Sequence, residues 1–337
     1  MGKTREIIQQ IIADDGSATA TELAHRLDIT RQAVNAHLGN LIREGKIFKT
    51  GSTRAARYFP ADAAPDAQKI SWIFELKNLD ESDIYERLAI GLNLSGLPSN
   101  IESIVHYAFT EMLNNAIDHS KSRKCKVEAC LDAGKMTFNV RDEGIGVFHS
   151  IFDKFGLDDE HAALVELVKG KTTTMPEAHS GEGIFFVSRA ADRFSLRSHR
   201  QQIEWNRAKK DVFVSTPRFI RGTLVRFEIG IHSRTRLAKV FAEFAPEKYD
   251  YQFRKTRVLV KLLQEDYVSR SEAKRLLHNL DKFLEIELDM RDVQNVGQGF
   301  ADEIFRVFAS EHPEIEIRTI NASGAVNAML RHASDSN

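Results

Sequence analysis

The chain has 337 residues, a length at which two or three domains are expected rather than one core. Apolar residues make up 42% and charged residues 28%, and 47 Lys plus Arg against 48 Asp plus Glu leave a net charge of −1. No global field draws such a chain to nucleic acid or membrane, so any DNA-binding surface must be local. No stretch approaches the roughly 18 apolar residues of a membrane span. The N-terminus, MGKTREIIQQ, lacks the apolar core of a signal peptide. Cys125 and Cys130 fit neither a zinc knuckle nor a redox pair. A secreted disulfide scaffold, a membrane protein and a cysteine-based metal site are thereby disfavoured, and a cytoplasmic protein is expected.

Residues 1–60 read as one small unit. Ile7, Ile8, Ile11 and Ile12 mark the apolar face of a first helix that Gly16 stops. Thr21 to Leu27 gives a short second helix, Asp28-Ile29 a tight turn, and Thr30 caps a third helix running to about Glu44. Lys46 to Lys49 then enters a two-strand ribbon with Gly51-Ser52 at its tip and Arg57-Tyr58-Phe59 returning. The third helix offers Thr30, Arg31, Gln32, Asn35 and His37 on one face, and Arg with Asn or Gln matches guanine and adenine edges. Lys46, Lys49, Arg54 and Arg57 of the ribbon suit phosphate, and basic residues outnumber acidic ones here. The stretch ELAHRLDITRQAVNAHLGNLIREGKI resembles the winged helix-turn-helix of bacterial regulators, which implies double-stranded DNA as partner. The plainer alternative is a protein-docking module. Pro60 to Pro65 has linker composition.

A mixed α/β unit is expected over 69–232. A strand at 69–76 and a helix at 81–89 lead to the best-patterned helix of the chain, 100–119. Strands at 124–131 and 136–141 follow, then a long stretch bearing glycine, threonine and charge (147–180). A helix at 183–191 and strands near 193–199, 202–206 and 223–229 complete the unit. Glu111 and Asn115 lie four apart on one edge of the 100–119 helix. A carboxylate there can orient or deprotonate a water or hydroxyl, and an amide oxygen can ligate Mg²⁺. Asp142 ends a strand just before Gly144 and Gly146, so it can accept from an exocyclic amine while the glycines admit backbone close to a planar base. His179-Ser180-Gly181-Glu182-Gly183 is a glycine-bearing loop opening a helix, the kind of terminus that attracts a phosphate chain. Thr223 brings a hydroxyl into a strand suited to lie under a base. Each motif alone is an ordinary turn or helix edge.

In this order and spacing the motifs resemble the GHKL ATP-binding fold of gyrase, histidine kinases and anti-sigma-factor serine kinases, over roughly 70–230. The resemblance implies an α/β sandwich, a mixed sheet with helices on one face, binding ATP and Mg²⁺. It puts Glu111 at the general-base position, Asn115 at the magnesium ligand and Asp142 on the adenine amine. Gly144 and Gly146 would shape the base pocket, Gly181 and Gly183 would close on the phosphates, and Thr223 would support Asp142. The 147–180 stretch corresponds to the ATP lid, expected to be flexible, with Lys171, Thr172 and Thr173 as candidate phosphate contacts. A P-loop GxxxxGK[ST], a GxSxG elbow and an HExxH zinc motif are absent from the sequence, and the twelve histidines read as scattered surface or packing residues.

After a basic and aromatic bridge (234–257), strand and helix alternate to the end, a small α/β layer fold. The run from Glu285 to Phe305 is similar to STAS-type domains over about 256–333. STAS antagonists carry a phosphorylatable serine at the start of the helix after this loop. Here the residues are Gly297-Gln298-Gly299-Phe300, with no hydroxyl, so phosphorylation at that position is not expected; the domain is read either as a docking site for a protein partner or as a cap that stabilises the ATPase. The whole is thus expected to be multidomain α/β: winged helix-turn-helix (1–60), GHKL domain (69–232) and STAS-like domain (256–333). Its expected function is a nucleotide-regulated DNA-binding protein, a bacterial transcriptional regulator, with a protein partner at the STAS-like domain and a homodimer as further expectations. The alternatives are a GHKL protein kinase of anti-sigma or histidine-kinase type, and an ATP-hydrolysing clamp.

Overall fold

The computed structural model describes residues 2–44, 46–50, 56–60, 68–132, 134–174, 181–263 and 267–334. Arg54, the Gly51-Ser52 tip, most of the expected linker, and His179 and Ser180 lie outside the described residues. The first unit runs α1 (Gly2–Asp14), β1 (Ala18–Thr19), α2 (Ala20–Leu27), α3 (Arg31–Arg43), β2 (Ile47–Thr50) and β3 (Arg57–Pro60). Thr19 and Glu22 form a capping box that starts α2, and the Thr30 hydroxyl accepts from the Ala33 amide at 3.2 Å to start α3. Ile8, Ile12, Leu23, Val34, Leu38 and Leu41 fill the core. The ribbon has a third strand that the sequence did not suggest: β1 pairs with β3, Ala18 opposite Tyr58.

The second unit contains β4 (Gln68–Glu75), α4 (Glu81–Gly91), α5 (Ser99–His119), β5 (Lys124–Leu131), β6 (Lys135–Asp142), α6 (Val147–Phe155), α7 (Glu160–Lys169) and α8 (Gly183–Ala190). It closes with β7 (Arg193–His199), β8 (Gln201–Asn206), β9 (Asp211–Ser215) and β10 (Ile220–Gly230). The seven strands lie in the order β4-β5-β6-β10-β7-β8-β9. Every neighbouring pair is antiparallel, which corrects the expected mixed sheet. The reason is β10, which inserts between β6 and β7. Those two strands run the same way across the α6–α8 crossover, and β10 keeps them from being neighbours. Burial alternates along β5 and β6, so one face carries the core. On that face Phe138 and Phe227 stack at 4.7 Å across β6 and β10, and Phe109 of α5 meets Phe138 edge-on at 5.4 Å.

The stretch expected to be one flexible lid is corrected too. Its first two-thirds form α6 and α7. Phe148 and Ile151 are buried in α6, and Ala163, Leu164, Leu167 and Val168 in α7. Asp159 caps α7 by accepting from the Ala162 amide at 2.8 Å. The non-helical part begins only at Gly170.

The third unit follows α9 (Leu237–Phe244) with β11 (Lys255–Leu259), α10 (Arg270–Leu277), β12 (Glu285–Asp289), α11 (Gln298–Asp302), α12 (Ala309–Glu311), β13 (Glu316–Ile320) and α13 (Gly324–Ser334). Residues 303–308 between α11 and α12 widen into a π-helix. Strand β12 is central, parallel to both neighbours and buried at all five residues. Phe185 and Phe186 of α8 belong to this unit's core, packed on Phe244 and Phe253, so α8 serves both cores.

The joint between the second and third units centres on Lys169, the last residue of α7 and 1% exposed. Its ammonium donates to Glu166 Oε1 at 2.5 Å and to the carbonyls of Arg275 (3.1 Å) and His278 (2.9 Å). Asn279 donates to the other Glu166 oxygen at 2.9 Å, and Thr256 donates to the Lys169 carbonyl at 2.6 Å. A buried ammonium is tolerable only when oxygens replace its water. Removing it takes the buried ammonium from the Glu166 carboxylate and leaves it Asn279 and the His278 ring, 3.2 Å away. Lys169→Ala is expected to lower unfolding free energy by about 3–5 kcal/mol, and the paired Lys169→Met, Glu166→Gln change to recover most of it. Denaturant unfolding checks both; a cost under about 1 kcal/mol for the single change would contradict the assignment.

Candidate functional site

The motifs separated in sequence meet around a cavity of about 260 Å³ between α5, the sheet and the α6–α8 crossover. Val140, Leu196 and Val225 on β6, β7 and β10 form an apolar floor. Along one edge of α5, Glu111, Asn115 and His119 line it at successive steps of four, while Ile104, Ala108 and Phe109 turn into the core. Asp142, Gly181, Gly183 and Thr223 line it as well, so six of the eight expected pocket residues converge on one cavity.

Asp142 is held by backbone. It is 4% exposed, and its Oδ1 accepts from the Gly144 amide at 2.8 Å and the Thr223 amide at 3.3 Å. Both bonds fall on Oδ1, and neither on Oδ2. Strand β10 reaches it through an irregularity between Ile220 and Thr223, at Gly222. Gly222 has φ +72°, and a Cβ there would lie 2.3 Å from the Asp142 carbonyl oxygen, so only glycine lets the two strands close. The sequence reading gave this residue no role, although glycine immediately before a strand threonine is a visible sign of a bulge. The Thr223 hydroxyl accepts from the Val147 amide at 3.0 Å and so anchors the start of α6.

Gly144 and Gly146 stand behind the cavity rather than on it. A Cβ on Gly144 would meet the Ser120 carbonyl oxygen, the α5 terminus, at 1.8 Å. Gly146, at φ +83°, lies against Ser198 and His199. They position the Asp142 loop against α5 and β7.

The opposite wall is the start of α8. Its N-cap, Glu182, makes no side-chain capping bond. A Cβ on Gly183 would fall 2.1 Å from Glu111 Oε2, so glycine here lets the helix terminus approach that carboxylate. Gly181, at φ +72°, packs on the Thr172 backbone. Thr172 and Thr173 line the cavity, but Lys171 does not. Its ammonium donates to the Lys282 carbonyl at 3.0 Å and sits 4.8 Å from the Phe283 ring, which corrects the expected phosphate contact. Burial, with Arg254 and Lys282 nearby, pushes Lys171 down to about 8.

In the first unit Arg31, Gln32 and Asn35 are exposed on α3, with Val34 and Leu38 buried behind them. Lys49 lies half-buried on β2. Arg57 is exposed but donates to Ser17 at 3.3 Å and lies beside Glu22, so it is partly committed within the unit. In the third unit a Cβ on Gly297 would lie 2.4 Å from the Val268 carbonyl oxygen. A side chain has no room at Gly297, whereas Gly299 has ordinary clearance.

Three family models match the chain: winged helix-turn-helix DNA-binding over residues 2–47, histidine kinase-like ATPase domain over 86–205, and STAS-like domain of unknown function over 272–327. No curated protein matches it. The chain therefore joins a winged helix-turn-helix, a histidine kinase-like ATPase domain and a STAS-like domain in the order expected from its motifs. No helix among the described residues is long and apolar enough to cross a membrane.

Burial raises the Asp142 pKa above its ordinary 3.8, with the backbone amides opposing the shift. A raised folded-state value means the native protein holds this proton more tightly than the unfolded chain. Ionised Asp142 therefore costs stability, a cost absent below the unfolded value of 3.8 and fully present above the folded one. Asp142→Asn keeps an oxygen for both amides and is expected to raise the melting temperature of the ligand-free protein at pH 7. The gain should shrink as pH falls towards 4. A variant no more stable than wild type at pH 7 would show that the amides outweigh burial.

Proposed function

We propose that this is a nucleotide-regulated DNA-binding protein, a transcriptional regulator that binds Mg-ATP in the ATPase-like cavity and duplex DNA through the winged helix. The observation carrying the nucleotide half is Asp142: a buried carboxylate fixed through one oxygen, beside the apolar floor of Val140, Leu196 and Val225, has its other oxygen to offer to an exocyclic amine. The remaining lining fits the rest of the ligand. The α8 N-terminus opens on the cavity at Gly183 and suits phosphates, Thr172 and Thr173 add hydroxyls, and Asn115 offers an amide oxygen to Mg²⁺. Glu111, one helical turn from Asn115, is the general base if the phosphate chain is cleaved. The DNA half rests on the matched helix-turn-helix and the exposed Arg31, Gln32 and Asn35, with Lys49, Arg54 and Arg57 on phosphate.

The alternatives are a protein kinase and an ATP-driven clamp, and both would work through Glu111. Against an acceptor at Gly297 of the STAS-like domain, that residue offers no hydroxyl and no room for one.

Calorimetric titration with Mg-ATP is expected to show binding that Asp142→Asn weakens about tenfold or more, through loss of a charge-assisted bond. Asn115→Ala should remove the magnesium-dependent part. Glu111→Ala should retain ATP while abolishing any hydrolysis or transfer. Arg31→Ala should reduce preference for one DNA site, whereas Arg54→Ala should weaken all duplexes and flatten the salt dependence. Unchanged ATP affinity in Asp142→Asn would overturn the adenine assignment, and a protein that retards no duplex would make the winged helix a docking module.

A further inference from the structure

Two histidines that are fifty residues apart in the sequence come together beside a glutamate on the far side of the Asp142 loop. His149 is on α6, Glu160 is the first residue of α7, and His199 ends β7. Their ligand-capable atoms all lie within 4.8 Å of one another. His199 Nδ1 is 2.7 Å from Glu160 Oε1, and His149 Nδ1 is 3.3 Å from the same oxygen. We propose that His149, Glu160 and His199 form a site for one divalent transition-metal ion of the zinc class, separate from the nucleotide's magnesium.

The donor set chooses the class of ion. Two imidazole nitrogens and one carboxylate oxygen suit Zn²⁺, Co²⁺ or Ni²⁺, whereas Mg²⁺ and Ca²⁺ take oxygen almost throughout. Three protein ligands leave a coordination position for water. That position has access: the His149 side chain is 47% exposed, while Glu160 and His199 are 23% and 19% exposed.

The His199 ring is held in place before any ion arrives. The residue sits at φ +51°, a backbone state non-glycine residues rarely occupy. Phe219 stacks on the imidazole at 5.1 Å and 24°. At the Nε2 edge of the ring, Gly146 approaches so closely that a Cβ there would lie 2.9 Å from His199 Nε2. The stacked Phe219 and the close approach of Gly146 limit how the ring can turn, with Nδ1 towards Glu160. Without an ion the same three groups are two imidazoles sharing one carboxylate oxygen. Solution binding distinguishes these cases.

An ion here would tie the starts of α6 and α7 to the β7–β8 turn. Helix α6 contributes Val147, Ser150 and Ile151 to the neighbouring cavity, so the tie would set the position of that wall.

The test is titration of tag-free protein with Co²⁺ in the absence of nucleotide, so it stands or falls independently of ATP binding. One equivalent should bind with a visible ligand-field band, excess Mg²⁺ should leave the band intact, and Zn²⁺ should displace it stoichiometrically. Zn²⁺ should also raise the wild-type melting temperature. Glu160→Gln and His199→Gln should lose the band. So should His149→Ala, whose half-exposed side chain makes it the variant least able to disturb folding. Absence of saturable one-equivalent binding, a band that survives His149→Ala, displacement by Mg²⁺, or a sulfur-to-cobalt charge-transfer band reporting a cysteine ligand would each overturn the site.

Discussion

The ammonium of Lys169 has lost its water, and the structure around it is arranged to return oxygen to it. One partner, Glu166, lies a turn earlier on the same helix, and the other two are carbonyls of the STAS-like domain at Arg275 and His278. The ATPase domain supplies one of the three oxygens around this charge and the STAS-like domain the other two, so the joint fixes the end of the helix that leads into the cavity wall. Directly after Lys169, Gly170 lies against Phe253 and Phe185, Lys171 is bound to the Lys282 carbonyl, and Thr172 supports Gly181. The backbone on one side of the cavity is therefore set from outside the ATPase domain. An effect on the STAS-like domain has a short physical route to the cavity, through residues 169–174.

Helix α8 is a second route. Its first turn faces Glu111, while Phe185 and Phe186 in the same turn are packed among Phe244 and Phe253. A shift of those rings moves the cavity's helix terminus with them, because close-packed aromatic side chains leave little slack.

The cavity was legible from sequence to the extent that its chemistry is local. Glu111 and Asn115 announce themselves by helical spacing, and Asp142 by its place between a strand and two glycines. The winged helix was legible for the same reason: the cap at Thr30 and the apolar period of α3 are short-range signals, although the capping box at Thr19 and Glu22 went unread. Long-range facts were not. Helices α6 and α7 carry clear apolar faces, yet the glycines and threonines at either end of 147–180 drew the whole stretch towards a loop. Lys171 has the composition of a phosphate ligand, and only the fold turns it to Phe283. The insertion of β10 between β6 and β7 leaves no mark in any window of sequence. His149 and His199 meet only because the α6–α8 crossover returns to the β7–β8 turn, a closure that spacing rules for metal motifs do not cover.

The central claim is that nucleotide state reaches the DNA reader. It is tested most directly by measuring duplex affinity, on the preferred genomic fragment, with Mg-ATP, with Mg-ADP and without nucleotide. The account predicts that the affinities differ by a coupling of about 1–3 kcal/mol, that DNA changes ATP affinity by the same factor, and that Asp142→Asn abolishes the difference. Three superimposable binding curves, from a protein shown to be saturated with nucleotide, would contradict it.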